Sequence, residues 1–125
     1  MPHAVGVDLV AIARVEKLLA DAGDRAWARL LTADERAYCE KMAFPARHVA
    51  ARIAAKEAVY KALQGTEDAR GIGWREIEVV RDEQGRPSVR LHGRAVARLA
   101  AVGARDVLLS LTHTDDLAAA IAVLV

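Results

Sequence analysis

Arg52-Ile53-Ala54-Ala55-Lys56-Glu57-Ala58-Val59-Tyr60-Lys61 gathers four ionisable side chains into a stretch otherwise made of alanine and apolar residues. An ordinary surface helix does not concentrate charge in this way, and the combination asks for a ligand. Glu57 and Lys61 stand four positions apart, so they share a helical face and can present a carboxylate and an ammonium to one small anionic or metal-bound group. Alanines at 50, 51 and 62 and larger apolar residues at 49 and 63 extend the helix. Pro45 suits its first turn and Gly65 its end. Little of this helix is left for a solvated face, so the Glu57 and Lys61 pair is expected to be half-buried.

Upstream, Ala4-Val5-Gly6-Val7 reads as a short buried strand, with Asp8 beginning the turn into an amphipathic helix that carries Ile12, Val15, Leu18 and Leu19 on one face. Asp21 to Asp24 ends that helix, and a short helical piece follows through Trp27 to Leu31. Thr32-Ala33-Asp34-Glu35 fits a capping box, in which an N-cap threonine and an N3 glutamate satisfy reciprocal backbone donors. It starts another helix reaching about Lys41. Downstream, Gly65 to Gly73 has three glycines and no periodicity, so it reads as a mobile loop that lets backbone come close to a ligand. Two strands around Ile77 and Val79 and around Val89 and Leu91 flank the turn Asp82 to Pro87 as a hairpin. A helix from about Arg94 to Ala101 and two more strands, joined by a polar turn at Thr114-Asp115-Asp116, complete a single domain over residues 1–125.

With 125 residues the chain can bury a core unaided, and 54% hydrophobic residues with only 4% aromatics mean that the core is built from many small aliphatic side chains. A small chain this apolar has surface left to cover, which predicts burial between identical subunits. Eighteen basic residues against seventeen acidic ones leave a formal charge of +1, no global field for nucleic acid. A nucleic-acid binder using Arg47, Arg52, Lys56 and Lys61 is further disfavoured by the scarcity of stacking aromatics. The one cysteine, Cys39, cannot form an internal disulfide, and Met1-Pro2-His3 has no secretion-signal pattern, so a cytoplasmic location is expected. Leu117 to Val125 is far shorter than the roughly 20 residues a membrane helix needs, and no membrane role is expected.

Asp8 fits a helix cap or a turn as well as a ligand. Glu57 fits an ordinary Glu-Lys pair worth a few tenths of a kcal/mol. Taken together, one carboxylate from a strand end and one from a helix are too few for calcium but suit magnesium, which keeps waters and takes substrate phosphates. Arg52, Lys56 and Lys61 either supply charge for a polyphosphate or snorkel from an apolar helix, and the residues alone favour neither. His113, ending a strand in Ser110-Leu111-Thr112-His113-Thr114, can meet a ligand from the loop side. No zinc-ligand spacing, nucleophile elbow, Walker motif or dinucleotide-binding glycine pattern occurs.

Gly6-Val7-Asp8-Leu9-Val10-Ala11-Ile12-Ala13-Arg14, the helix Arg52 to Lys61, and Ser110-Leu111-Thr112-His113-Thr114 together resemble the holo-acyl-carrier-protein synthase branch of the 4′-phosphopantetheinyl transferases. The three blocks come in the family's order and span almost the whole chain, and Trp74 to Val79 also looks like the family's hairpin region. The resemblance implies an α+β 4′-phosphopantetheinyl transferase fold, an antiparallel sheet packed with a long central helix. It implies a homotrimer with active sites between subunits. It implies transfer of 4′-phosphopantetheine from coenzyme A to a serine hydroxyl of apo-acyl carrier protein, for fatty-acid or polyketide biosynthesis, with release of adenosine 3′,5′-bisphosphate.

By the same resemblance Asp8 and Glu57 hold magnesium, and Glu57, directly or through a water on the metal, takes the serine proton. A carboxylate held to a cation is a poorer base, which sets those two roles against each other. Lys61 stabilises charge at the reacting phosphates, Arg52, Gly65, His113 and Thr114 bind coenzyme A, and Arg14 docks the acidic carrier protein, with Lys17 and Arg25 as candidates to extend that surface. Ile53 departs from the phenylalanine or tryptophan usual in the family, which changes the packing beside the site. The competing reading is a non-catalytic module that binds coenzyme A or an acidic protein with the same cations.

Overall fold

A computed structural model describes residues 2–64 and 71–125. Its centre is the helix that the alanine-rich stretch predicts. Among the described residues, five helices (α1, Ile12–Ala22; α2, Asp24–Leu30; α3, Ala33–Glu40; α4, Pro45–Leu63; α5, Gly93–Ala101) combine with five strands (β1, Ala4–Ala11; β2, Ile77–Arg81; β3, Pro87–Leu91; β4, Val107–His113; β5, Leu117–Leu124) in an α+β arrangement. Helix α4 starts on Pro45 and is buried nearly all round, with Val49 to Lys56, Ala58, Val59, Ala62 and Leu63 inside. A helix apolar on every side belongs in the middle of a domain. Its last carbonyls are taken up from α5, where buried Arg98 donates to the Leu63 oxygen at 2.6 Å.

Strands β1, β5 and β4 form an antiparallel sheet in that spatial order, and β2 and β3 form a separate hairpin. Helix α4 lies across β1 and β5. Strand β5 shows why: Ala118, Ala120, Ala122 and Leu124 are buried against the helix, and the intervening residues point the other way, as the period of two requires. On β1 the helix comes so close that a β-carbon built on Gly6 would lie far inside van der Waals contact distance of the Ala58 carbonyl oxygen. Glycine is the residue for such an approach.

The sequence reading of β1 needs correcting. The strand does not stop at Val7 with Asp8 opening a turn; it pairs residue by residue with β5 from Ala4 opposite Leu124 to Ala11 opposite Leu117. An eight-residue partner strand of matching alternation outweighs the turn preference of one aspartate. Asp8 is therefore a mid-strand residue on the helix-facing side, in phase with Gly6. Nor is the strand buried on both faces: Val5, Val7 and Leu9 are exposed on the opposite side together with Leu108 and Ile121. Trp74 lies before β2, in a 3₁₀ turn, Trp74–Glu76.

Other expectations hold locally. Thr32 and Glu35 form the full capping box at the start of α3. In the hairpin turn, Asp82 Oδ1 accepts from the backbone of Gln84 at 2.9 Å and of Arg86 at 2.8 Å. Cys39 is wholly buried, and burial pushes its thiol up to about 11, so it is a packing residue. No described helix is long and apolar enough to cross a membrane.

Because Gly6 leaves no room for a methyl group, Gly6→Ala must push α4 off the sheet. We expect a loss of about 1–3 kcal/mol, the usual range for overpacking, read as a lower urea midpoint. An unchanged midpoint would mean that the helix does not sit this close.

Candidate functional site

The close approach at Gly6 places the next helix-facing residue of β1, Asp8, beside the second half of α4. Lys61 Nζ donates to Asp8 Oδ1 at 2.9 Å and to the Val7 carbonyl at 3.2 Å. Glu57, one turn earlier on α4 and on the same face as Lys61, is near enough to Asp8 for the two carboxylates to repel. Burial pushes the Glu57 carboxyl above its ordinary range, and Asp8 pushes it further while Lys61 and Arg14 pull it back. The hydrogen bond to Asp8 holds the Lys61 ammonium above its usual value. Asp8, Glu57 and Lys61 thus form one cluster, as the sequence reading expects.

A groove of ≈ 550 Å³ runs past this cluster, and Arg14 and Lys17 of α1 line it together with Asp8, Ile53, Glu57 and Trp74. Arg25 is not among its lining residues. Ile53 therefore does border the site. Two carboxylates on one groove, with burial and then Asp8 raising the proton affinity of Glu57, are a donor set suited to a hard divalent cation. Among the described residues no group of three or more His, Cys, Asp or Glu could cage a metal ion. An ion held by this pair must complete its shell with water and phosphate oxygens, which suits magnesium better than calcium.

A second cluster forms at the other end of α4. Arg52 is buried, its guanidinium carbon 4.3 Å from the Tyr38 ring centroid. Its Nη1 donates to the His48 carbonyl at 3.3 Å. The Arg52 Nε has no hydrogen-bond partner among the described residues. An orphaned buried guanidinium donor is costly, and a bound anion would satisfy it. His113 lies near, its ring 6.4 Å from that of His48, and burial, then Arg52, holds the His48 imidazole below its ordinary value. Thr114 follows in the turn, where its Oγ1 accepts from the backbone of Asp116 at 3.2 Å and Leu117 at 3.1 Å. The hydroxyl proton remains to be donated. Gly65 lies outside the described residues, as does the loop to Arg70.

The two clusters do not meet within one chain. At 100° per residue, Arg52 and Glu57 project about 140° apart and Arg52 and Lys61 in opposite directions. Neither Arg52 nor His113 lines the groove beside Asp8 and Glu57.

Lys56 is the residue that the sequence reading misplaces. It supplies no free charge for a polyphosphate and does not snorkel: it is 1% exposed, and its ammonium bonds Glu35 Oε1 at 2.7 Å and the carbonyls of Trp74 and Ile77 at 2.8 Å each. Glu35 is buried too and also accepts from the Thr32 and Val79 amides, both at 2.9 Å. Burial pushes the Lys56 ammonium down while Glu35 raises it. Gly6 was missed as well, although an isolated glycine inside a strand is a signal for close backbone approach. For the Glu35 and Lys56 pair the sequence offers no signal, since the two lie far apart in the chain and the other partners of Lys56 are distant carbonyls.

Residues 4–122 match the 4′-phosphopantetheinyl transferase superfamily. The chain is 43% identical over 124 residues to the holo-[acyl-carrier-protein] synthase of Solidesulfovibrio magneticus, covering 99% of this chain and 98% of the relative. It superposes on the crystal structure of holo-[acyl-carrier-protein] synthase from Neisseria meningitidis with a TM-score of 0.86 at 27% identity, over 99% of this chain and 98% of the other. It also matches the ACPS-CoA complex of Chronobacterium ammoniagenes, with a TM-score of 0.81 at 32% identity over 97% of this chain and 95% of the other.

The raised Glu57 pKa fixes a sign for stability. Folding favours the protonated carboxyl, so this stabilisation is complete below the ordinary value of 4.5 and is lost as pH climbs through the folded-state pKa. In buffer free of divalent cations, Glu57→Gln is therefore expected to melt above the native protein at neutral pH, with the gap closing on acidification. A variant that melts lower at neutral pH would show that ionised Glu57 is instead favourably held.

Proposed function

This chain belongs to the 4′-phosphopantetheinyl transferase superfamily, and we propose that it acts there as a holo-[acyl-carrier-protein] synthase. It transfers 4′-phosphopantetheine from coenzyme A to a serine hydroxyl of apo-acyl carrier protein. The oxygen of that serine attacks the phosphorus bearing the pantetheine arm, the bond to the bridging oxygen breaks, and adenosine 3′,5′-bisphosphate leaves. The observation that carries this reading is the convergence of Asp8, Glu57 and Lys61 from β1 and α4. All of residues 1–125 serve as one transferase domain.

Asp8 and Glu57 are the residues to hold magnesium, which when bound supplies charge neutralisation on the diphosphate. Glu57 has the further task of accepting the serine proton. Without a cation its proton affinity is raised, and bound magnesium would lower it, so the proton would pass to Glu57 either directly or through a water. Lys61, anchored to Asp8, places a positive charge at the reacting phosphates. Arg52 with its orphaned Nε, His113 and the Thr114 hydroxyl proton take the nucleotide's phosphates, with Gly65 giving close backbone approach. Arg14 and Lys17, on the same groove as Glu57, attract the acidic carrier protein through a local field that salt screens.

The assembly is a homotrimer with its active sites between subunits. Two features support this. One is the exposed apolar sheet face of Val5, Val7, Leu9, Leu108 and Ile121, which water-exposed monomers rarely keep. The other is the angular separation of Arg52 from Glu57 on α4, which lets one coenzyme reach both clusters if a neighbour supplies the second. Synthesis of fatty acids in the cytoplasm is the setting in which such a carrier is used.

Incubation of apo-acyl carrier protein with coenzyme A, magnesium and this protein should add the mass of phosphopantetheine to the carrier by intact mass spectrometry. Removing magnesium with a chelator should stop the gain. Glu57→Gln should lower kcat by about 10²–10⁴, the span of general base catalysis, while still binding coenzyme A. Binding without any transfer by the native protein would leave a non-catalytic coenzyme-binding module.

A further inference from the structure

Between α4 and the segment 72–77 lies a second cavity, of ≈ 270 Å³, lined by Lys56, Glu57, Tyr60, Ile72, Gly73, Trp74 and Ile77. Helix residues form one wall and this segment, a strap with the 3₁₀ turn at its middle, forms the other. Two charged side chains reach it. One is Glu57; the other is Lys56, whose ammonium has all three protons engaged by Glu35, Trp74 and Ile77. Among the described residues no free cation lines the cavity, so what they offer suits an uncharged occupant better than a phosphate.

The strap has two holds. On its outer side Glu76 accepts from the amides of Gly73 and Arg94, both at 2.6 Å, and Arg94 Nη1 donates to the Gly71 carbonyl at 3.0 Å. On its inner side, beside the packing of Ile72, Trp74 and Ile77, Lys56 ties it to α4 by hydrogen bonds to the carbonyls of Trp74 and Ile77. Lys56 also directly precedes Glu57 on α4. One buried ammonium therefore bridges the helix that carries Glu57 and the wall facing it, and the carboxylate of Glu35 counters the burial that lowers its proton affinity.

We propose that Lys56, with Glu35, is a positioning residue that holds the strap as one wall of a subsite for the uncharged amide-and-thiol arm of coenzyme A. This rests on the functional reading above. An arm held equally in the ground and transition states contributes to binding and not to the chemical step. Loss of the tie should therefore raise KM for coenzyme A and leave kcat little changed, whereas adenosine 3′,5′-bisphosphate, which lacks the arm, should bind as before.

Lys56→Met alone strands the Glu35 carboxylate in the core and is expected to unfold much of the protein. The test is therefore Glu35→Gln/Lys56→Met, which removes both charges. Calorimetric titration of the full-length variant should show coenzyme A weakened about tenfold and adenosine 3′,5′-bisphosphate unchanged. Equal weakening of both ligands, or of neither, overturns the proposal.

A measurement that needs no core variant uses Trp27→Phe, which leaves Trp74 as the lone tryptophan. Its emission should shift with coenzyme A and stay constant with adenosine 3′,5′-bisphosphate. An identical response to both ligands, or none to coenzyme A, overturns the proposal. A Trp74 shift with coenzyme A alone in Trp27→Phe, together with no transfer to the carrier by the native protein, would sink the functional reading while supporting the subsite.

Discussion

Helix α4 rests on β1 with no side chain between them at residue 6, and the site depends on that contact. The helix can settle there because Ala58 and Ala62 face the sheet with only methyl groups and Gly6 answers with none. Asp8, two residues further along the same face of the strand, then meets Lys61 directly and Glu57 through the field between the carboxylates. A larger residue at any of these small positions would lift the helix and part the two acids. The high alanine content and the chemistry therefore have one cause: close packing of a chemically loaded helix onto a sheet.

The charges on α4 meet three different fates. Lys56 is wholly enclosed and every donor has a partner, so it behaves as part of the core. Arg52 is just as enclosed but keeps an orphan donor, an arrangement a fold tolerates when a ligand completes it. Glu57 stays half-buried, where the competition between burial, Asp8, Lys61 and Arg14 raises its proton affinity and leaves it reachable. Satisfaction of hydrogen-bonding capacity, more than burial, separates the structural charge from the functional ones. It also explains how a helix so apolar carries four ionisable groups without destabilising the domain.

Much of this was legible in the sequence. Thr32 with Glu35, Pro45 and the Asp82 turn each act through neighbours in the chain, so their signals survive without a structure. Asp8 and Glu57 were identified as partners because their residue types and settings fit one chemistry, and the structure brings them together. What failed depends on distant partners. The turn preference of Asp8 gave way to an eight-residue ladder with β5, and the fate of Lys56 was set by Glu35 and by two carbonyls in the strap. On a helix buried nearly all round, the hydrophobic pattern has no polar side left to show which charge faces what. The opposed directions of Arg52 and Lys61 were present in their spacing, yet their significance appears only once neither cluster is seen to line the other's groove.

The most direct test is a crystal of this protein grown with coenzyme A and manganese in place of magnesium, measured at the manganese absorption edge. One anomalous peak is expected per active site, in contact with carboxylate oxygens of both Asp8 and Glu57 and with the diphosphate of the coenzyme. Arg52 and His113 of a neighbouring subunit should close on the nucleotide end. A peak that touches only one of the two carboxylates, or a coenzyme seated with its diphosphate away from both, would contradict the convergence on which the chemistry rests.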